Sequence, residues 1–515
     1  MEGQQLINQR LKDALALTIN AGYQLDGTAF TFLKTVAQTK EVKEILENTI
    51  EKTAKLKERP LFITREMIEE AMKKPPPEEE NSTTILEGVA KAFQPPAKDM
   101  EAEIEVVDDP TDKISSAGSV GDFLKYFRDR FTRIEKILKQ RLDVKDAVPI
   151  RIALEATLNS NVKTIGIVTE VRERKRMIFM QLEDFEATAT VLVLPTVDKT
   201  IFEKAQRIFL DQVVCVQGKR GNRDLIVAND FINPDIPERK PKMATSPVYA
   251  AMMSDLHVGS NKFLEDSFNR FIRWLKGQEG NSRHREIAGK VKYIIICGDV
   301  VDGIGVYPNQ EKELAIDDVY EQYRVAAKIL QKIPEYIEVI ISPGNHDATR
   351  QALPQPAIPR KYAEPIYEAR SVTMLGNPTK IRLNKVDFLL YHGRSLDDVV
   401  GVIPEVSYKN LNETITVAMR YLLKVRHLAP IYGKKTPIAP EPRDFLVVDT
   451  PPDIFHSGHV HVNGYEMYRG TLLINSGAWQ GQTEFQRKMG LEPTPGIVPI
   501  VDLKTFQVMP INFMG

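Results

Sequence analysis

The sequence predicts a multidomain chain: an N-terminal helical module, then a small β-barrel, then a larger α/β domain. Three observations carry that expectation. At 515 residues the chain is too long for one hydrophobic core. Its apolar spacing changes from helical, to alternating, to continuous buried runs. A stretch rich in proline and acid separates the first pattern from the second.

Residues 1–72 read as short helices. Leu6, Leu11, Ala14 and Leu15, then Phe30, Leu33 and Val36, then Val42, Ile45 and Leu46 recur at helical spacing. A last helix is expected from about Thr64 through Met67, Ile68 and Met72. No chemistry-bearing motif falls there, and a docking module is the plain reading. Residues 73–118 (KKPPPEEENS, then FQPPAKDMEAEIEVVDDPTD) hold too little apolar surface to offset the entropy of ordering. They are expected to form a flexible acidic tether.

Residues 119–237 combine an amphipathic helix with the barrel. SVGDFLKYFRDRFTRIEKILKQRL aligns Phe123, Phe127, Phe131, Ile134 and Leu138 on one face, and its Lys and Arg face is expected to be solvated. From about Val148 the period falls to two. KTIGIVTEV, RMIFMQLED, ATATVLVLP, RIFLDQVVCVQGK and DLIVANDFI are five strand candidates, with a helical stretch at 197–205 between the third and fourth. That is the arrangement of an OB-fold. Such barrels bind single-stranded nucleic acid when they carry basic grooves and exposed aromatics. Arg172, Arg174, Lys175, Arg176, Lys219, Arg220 and Arg223 gather in two turns, but aromatics are sparse. A binding role and an architectural one both stay open.

Composition sets limits. Hydrophobic residues at 42% and charged ones at 27% are ordinary for a globular chain. A net charge of -1 supplies no global positive field, so a nucleic-acid surface must be local or come from a partner. The two cysteines, Cys215 and Cys297, lie in apolar runs. They argue against a disulfide framework or a Cys-based zinc site and for buried thiols. The N-terminal residues have no signal-peptide pattern and no apolar run reaches bilayer length, so a cytoplasmic location is expected.

From about Ser246 the runs VYAAMM, KYIIIC, IEVIIS and DFLLY read as buried strands, alternating with helical stretches at 268–275 and 319–330. Each strand runs into polar residues: Ser254-Asp255-Leu256-His257, Gly298-Asp299, Pro343-Gly344-Asn345-His346-Asp347, and His392-Gly393. The later DIFHS runs into Gly458-His459-Val460-His461. Ligands of open α/β sheets bind beyond the carboxyl ends of strands, so these turns are expected to converge. Five of the eight histidines fall in them, whereas His284, His427 and His456 read as surface or packing residues. Asp-x-His and His-x-His are expected to share one face of an extended segment.

The residue types suit two divalent cations, which clamp a phosphate and activate water when roughly 3.5–4 Å apart. A carboxylate suits a bridge between them. Imidazole and oxygen donors without thiolate favour Mn²⁺, with Fe or Zn²⁺ as alternatives.

The set SDLHVG, CGDVVDG, PGNHDA, YHGRS and SGHVHV resembles the calcineurin-like metallophosphoesterase superfamily in both motif and order. The resemblance covers residues 246–515 and implies an α/β metallophosphoesterase β-sandwich domain. It implies Asp255, His257, Asp299 and His461 around one metal, and Asp299, Asn345, His392 and His459 around the other, with Asp299 bridging. It implies His346 as the catalytic group that protonates the leaving oxygen or steadies the transition state. Every ligand position of the pattern is filled.

Over nearly the whole chain the domain order is similar to that of the small subunits of archaeal family D DNA polymerases, relatives of the B subunits of eukaryotic replicative polymerases. INSGAWQGQTEFQRKMGLEPTPGIVPIVDL and YHGRSLDDVV carry this resemblance, and the first 118 residues match in style only. It implies a proofreading 3′–5′ exonuclease of DNA replication acting on single-stranded 3′ ends. It implies a separate large catalytic subunit in a heterodimer or higher assembly, with the sliding clamp as a further partner and no membrane. Polymerisation is expected elsewhere, because no nucleotidyl-transfer motif is present. Two other readings stay open: a catalytically idle scaffold, and a stand-alone metallophosphatase.

Overall fold

A computed structural model describes residues 17–18, 21, 23–36, 42–54, 60, 62–72, 93–195 and 199–514. The helix expected around Leu6 to Leu15, and residues 73–92 of the expected tether, lie outside them. The chain divides into two compact units. One holds the described residues up to Asp99 together with Asp266–Val291 and those from Ile511. The other holds Met100–Glu265 and Lys292–Pro510.

In the first unit the helices Gly27–Val36, Val42–Ala54 and Arg65–Met72 accompany a two-stranded parallel sheet, Gln24–Leu25 with Phe62–Ile63. Tyr23, Leu33, Leu46, Ile63 and Ile68 form its core, so the helical periodicity marks the buried faces. The Thr64 hydroxyl accepts from the Met67 N–H at 3.4 Å and caps the third helix. Phe62 meets the buried His284 ring edge-on, with centroids 4.8 Å apart, which makes His284 a packing residue.

The second unit begins with a correction. Residues 93–118 were expected to belong to the tether, yet Ile104–Asp108 is a strand paired antiparallel with Thr379–Leu383. Its acids are matched by cations from distant sequence: Glu105 with Arg382 and Asp108 with Arg443, both at 2.6 Å. Further along, the buried Glu441 accepts the backbone N–H groups of Ser115 and Ser116. Local composition could not show those partners.

Helix Val120–Lys139 starts at a capping box between Ser119 and Asp122. Phe131, Ile134 and Leu138 are buried as expected, while Phe123 and Phe127 are half-buried around Tyr432. The basic face is not wholly solvated. Arg130 is buried, with Nε 2.9 Å from Asp444 and Nη2 donating to the Tyr126 hydroxyl.

Strands Asn161–Arg174, Met177–Glu183, Thr188–Val193, Leu225–Ile232 and Val213–Arg220 close into a five-stranded barrel in that order, and helix Lys199–Ala205 lies between the third and fourth strands of the sequence. Alternate residues such as Ile178, Met180 and Leu182 fill the core. The fourth strand is shorter than its sequence run, starting at Val213. The basic turns do not meet: Lys219 pairs with Asn161 at one end of strand Asn161–Arg174, and Arg174 pairs with Met177 at the other. Arg220 is turned inward to the Leu154 carbonyl at 2.6 Å.

The rest of this unit is two six-stranded sheets face to face. One runs Thr373–Met374, Glu338–Ser342, Val291–Cys297, Tyr249–Met253, Ile497–Asp502, Val508–Asn512. The other runs Gly464–Tyr468, Thr471–Asn475, Ile454–Ser457, Val386–Leu390, Thr379–Leu383, Ile104–Asp108. Met252, Tyr293, Ile295 and Ile340 from the first pack against Ile381, Phe388, Ile454 and Leu472 from the second. Strands Val291–Cys297 and Glu338–Ser342 are parallel, as are Val386–Leu390 and Ile454–Ser457, so their carboxyl ends share one rim. Cys215 and Cys297 are buried free thiols, each pushed by burial up to about 12. Among the described residues no helix is long and apolar enough to cross a membrane.

Candidate metal centre

The turns at those strand ends meet. Asp255, His257 and His461 each offer a ligand atom within 4.8 Å of the others, and Asp299, His392 and His459 do the same. Asp299 stands between the groups, its Oδ2 3.1 Å from His392 Nε2 and 3.8 Å from His257 Nε2. Asn345 Oδ1 is 3.2 Å from His392 Nε2. All the candidate ligands named from the sequence are therefore brought together.

The local conformation differs from the expected one. Asp255, His257, Asp299, His459 and His461 have φ of 53°, 52°, 55°, 72° and 57°. Each pair converges through left-handed turn residues rather than through alternation along a strand. Such residues cost roughly 1–3 kcal/mol apiece and persist where the surroundings over-determine them. Gly344 permits the closest approach: a Cβ there would strike the Asp299 carboxylate and backbone N.

Each imidazole is aimed by its second nitrogen. His257 Nδ1 is 2.9 Å from Asp302 Oδ1, His392 Nδ1 is 2.9 Å from the Cys297 carbonyl, and His459 Nε2 is 3.1 Å from Asp397 Oδ2. His461 Nδ1 lies 2.9 Å from the Gln486 amide. The oxygen acceptors facing His257, His392 and His459 fix the tautomer and leave the other nitrogen for a cation, whereas the Gln486 amide nitrogen is a donor that holds the His461 ring in place. His346 donates its backbone N–H to Asp299 Oδ1 at 2.8 Å, and its Nδ1 is 2.7 Å from the Asp302 carbonyl. Its ring meets His257 edge-on with centroids 4.6 Å apart.

The donor set fits a pair of divalent cations. Asp255 Oδ1 is buried without a hydrogen-bond partner, yet it lies 3.4 Å from His461 Nε2 and 3.8 Å from His257 Nε2. His257 Nε2 and His461 Nε2 face each other at 3.0 Å. Lone pairs converging in this way on buried carboxylate oxygens mark a cation position rather than a packed core. The electrostatics agree. Burial works to raise Asp299, but the neighbouring His392 and His346 hold it below the carboxylate range. Burial works to lower His257 and His392, but the aspartates push them up to about 10 and about 9. Positive charge is strongly favoured here. Asp347 is the contrast: burial and the charge of Asp299 raise it to about 6. It accepts from the Gly344 N–H and the Tyr323 hydroxyl, at 2.9 Å and 3.1 Å, and supports the Asn345 turn.

The sequence reading missed Asp302, Asp397 and Gln486. Asp302 and Asp397 sit inside the quoted turns CGDVVDG and YHGRSLDD. A rule that every ligating imidazole needs an acceptor would have singled them out. Nothing in the sequence marks Gln486. His427 and His456 are buried packing residues, bonded to Asp444 at 2.8 Å and to the Ser476 hydroxyl at 2.9 Å.

Two facing sheets whose parallel strands end in an aspartate–histidine cluster define the class. Residues 250–462 match the family of the B subunits of DNA polymerases alpha and epsilon. The DNA polymerase II small subunit of Methanocaldococcus jannaschii is 42% identical over 82% of this chain and 70% of its own length. That of Methanothermobacter thermautotrophicus is 41% identical over 78% and 81%, and that of Archaeoglobus fulgidus 42% over 77% and 78%. The chain belongs to the family of archaeal DNA polymerase II small subunits. A solved archaeal phosphodiesterase aligns with 51% of this chain and 99% of its own at 14% identity, with a TM-score of 0.27, too slight a likeness to bear on function.

Proposed function

We propose that this chain is the proofreading subunit of a heteromeric archaeal DNA polymerase, a 3′–5′ exonuclease whose site holds two divalent cations. The single observation that carries the reading is the placement of Asp299, with one oxygen facing a histidine of each ligand group. Asp255, His257, Asp299 and His461 would hold one cation, and Asp299, Asn345, His392 and His459 the other. Mn²⁺ is the first candidate, with Fe or Zn²⁺ next. When bound, the pair supplies Lewis-acid stabilisation of the phosphate and an activated water for in-line attack.

The chain's own residues do the rest. Asp302 and Asp397 orient His257 and His459, and the Cys297 carbonyl orients His392. His346 is held at both its backbone N–H and Nδ1, and Nε2 would give a proton to the leaving oxygen when the ring is in its imidazolium form. Membership in a small-subunit family supports a large catalytic subunit as partner, and DNA 3′ ends are the proposed substrate. The sliding clamp is a further proposed partner. The closed five-stranded barrel suits an OB-type role.

The test is polarity. In Mn²⁺, the purified chain should shorten 5′-labelled single-stranded and 3′-recessed DNA stepwise from the 3′ end. Circular DNA of the same sequence should stay intact. Shortening from the 5′ end, or turnover of phosphomonoesters alone, would sink the exonuclease reading. The scaffold reading predicts no hydrolysis and unimpaired binding to the large subunit.

A further inference from the structure

The ligand cluster opens into a cleft of about 290 Å³. Besides the histidines and aspartates, its lining has two other chemistries. Arg394 and Lys435 supply cations, and Phe485, Met489 and Leu491 supply an apolar strip. Phe485 and Met489 stand four apart in the short helix Glu484–Met489, so they lie on one face. Both are exposed, Phe485 at 62% and Met489 at 37%.

The strip is also anchored. Thr483 and Gln486 form a capping box at the start of the helix. The Gln486 side-chain oxygen accepts from the Thr483 N–H at 3.0 Å, and its nitrogen lies 2.9 Å from His461 Nδ1. The residue that fixes the helix therefore also touches a candidate ligand, which keeps the aromatic surface in register with the cluster. Arg394 is steadied by the Gln351 carbonyl and side chain, both at 3.0 Å, and Lys435 lies 3.3 Å from the Tyr408 hydroxyl.

We propose that Phe485, flanked by Met489, is a stacking platform for the base of the nucleotide whose phosphodiester lies at the aspartate–histidine cluster. Arg394 and Lys435 hold the phosphates of that nucleotide. The proposal rests on the phosphodiesterase reading and adds what selects nucleic acid over small phosphoesters. An apolar peptide has no need of the cations, and a free phosphate has no need of the aromatic strip. A nucleotide presents a flat π-face and an anion within the reach of one nucleoside, and base–aromatic stacking is tolerant of base identity.

The experiment measures binding of dAMP and of 2-deoxyribose 5-phosphate to the full chain in Mn²⁺, for wild type, Phe485→Ala and Phe485→Trp. Hydrolysis of oligonucleotides with a normal or an abasic 3′ terminus is followed in parallel. Wild type should prefer the base-bearing ligand by about ten-fold or more, the order expected for one stack. Phe485→Ala should bring that ratio close to one, and Phe485→Trp should keep it. A wild-type ratio near one, or an unchanged ratio in Phe485→Ala, overturns the platform. If wild type hydrolyses no DNA, the phosphodiesterase reading falls, while the binding ratios still decide the platform.

Discussion

The His459 imidazole directs Nε2 to the Asp397 carboxylate at 3.1 Å, an acceptor that fixes the proton on Nε2 and leaves Nδ1 as the nitrogen free to ligate. Asp397 in turn accepts from the Tyr408 hydroxyl at 2.7 Å. Burial opposes its ionisation, but His459 holds it down at about 2. A carboxylate that orients a metal-ligating imidazole typically contributes 10- to 100-fold in affinity or activity. Asp397→Asn should weaken Mn²⁺ binding by about that factor, measured by calorimetry, with little change in melting temperature. Unchanged affinity would show that Asp397 does not act through His459.

Gly344 is a steric prediction. A Cβ at this position would meet the Asp299 carboxylate and backbone. Gly344→Ala should therefore abolish metal-dependent hydrolysis while leaving the barrel and the sheets folded. Circular dichroism and activity measured together check this, and an active Gly344→Ala protein would contradict the placement of Asp299.

Much of this site was legible because the chemistry is local. Strand-end turns carrying Asp, Asn and His are short in sequence, and all seven ligand candidates come together. Parts that depend on distant partners were not legible. The acids of Ile104–Asp108 looked solvating because Arg382 and Arg443 lie far along the chain. Arg130 looked like a surface cation because its counter-ion, Asp444, belongs to a loop with no motif. The left-handed φ values of Asp255 and His461 also escaped a pattern based on strand alternation.

The Arg130–Asp444 pair yields a stability prediction. Both side chains are buried at 2.9 Å, on the helix that precedes the barrel and on a loop of the sheet domain. Removing one partner strands the other charge in a low-dielectric interior, at a cost of about 3–5 kcal/mol. Arg130→Met should lower the urea midpoint accordingly. Partial recovery in an Arg130→Met, Asp444→Asn double variant, which removes the charge while keeping an acceptor at this position beside His427 and the Leu446 N–H, would identify the stranded charge as the cause.

His427 gives a pH prediction. Its Nδ1 accepts the Ala429 N–H at 3.1 Å and its Nε2 lies 2.8 Å from Asp444, so the ring is held neutral. Burial and the nearby Arg130 lower it to about 4, against about 6.5 in an unfolded chain. The unfolded state thus binds the proton first as pH falls. The stability contributed by neutral His427 is complete above about pH 6.5 and is lost progressively toward pH 4. His427→Asn should flatten that part of the stability–pH curve, and an identical slope would refute the assignment.

Hydrolysis of DNA by the purified chain in Mn²⁺, wild type beside Asp299→Ala, tests the central claim most directly. The account predicts 3′-terminal nucleotide release by wild type, and a loss of about a hundred- to a thousand-fold in the variant, the order expected when the transition-state stabilisation supplied by the cations that Asp299 would hold is lost. Equal rates in the two proteins, or no release by a folded, metal-loaded wild type, would contradict it.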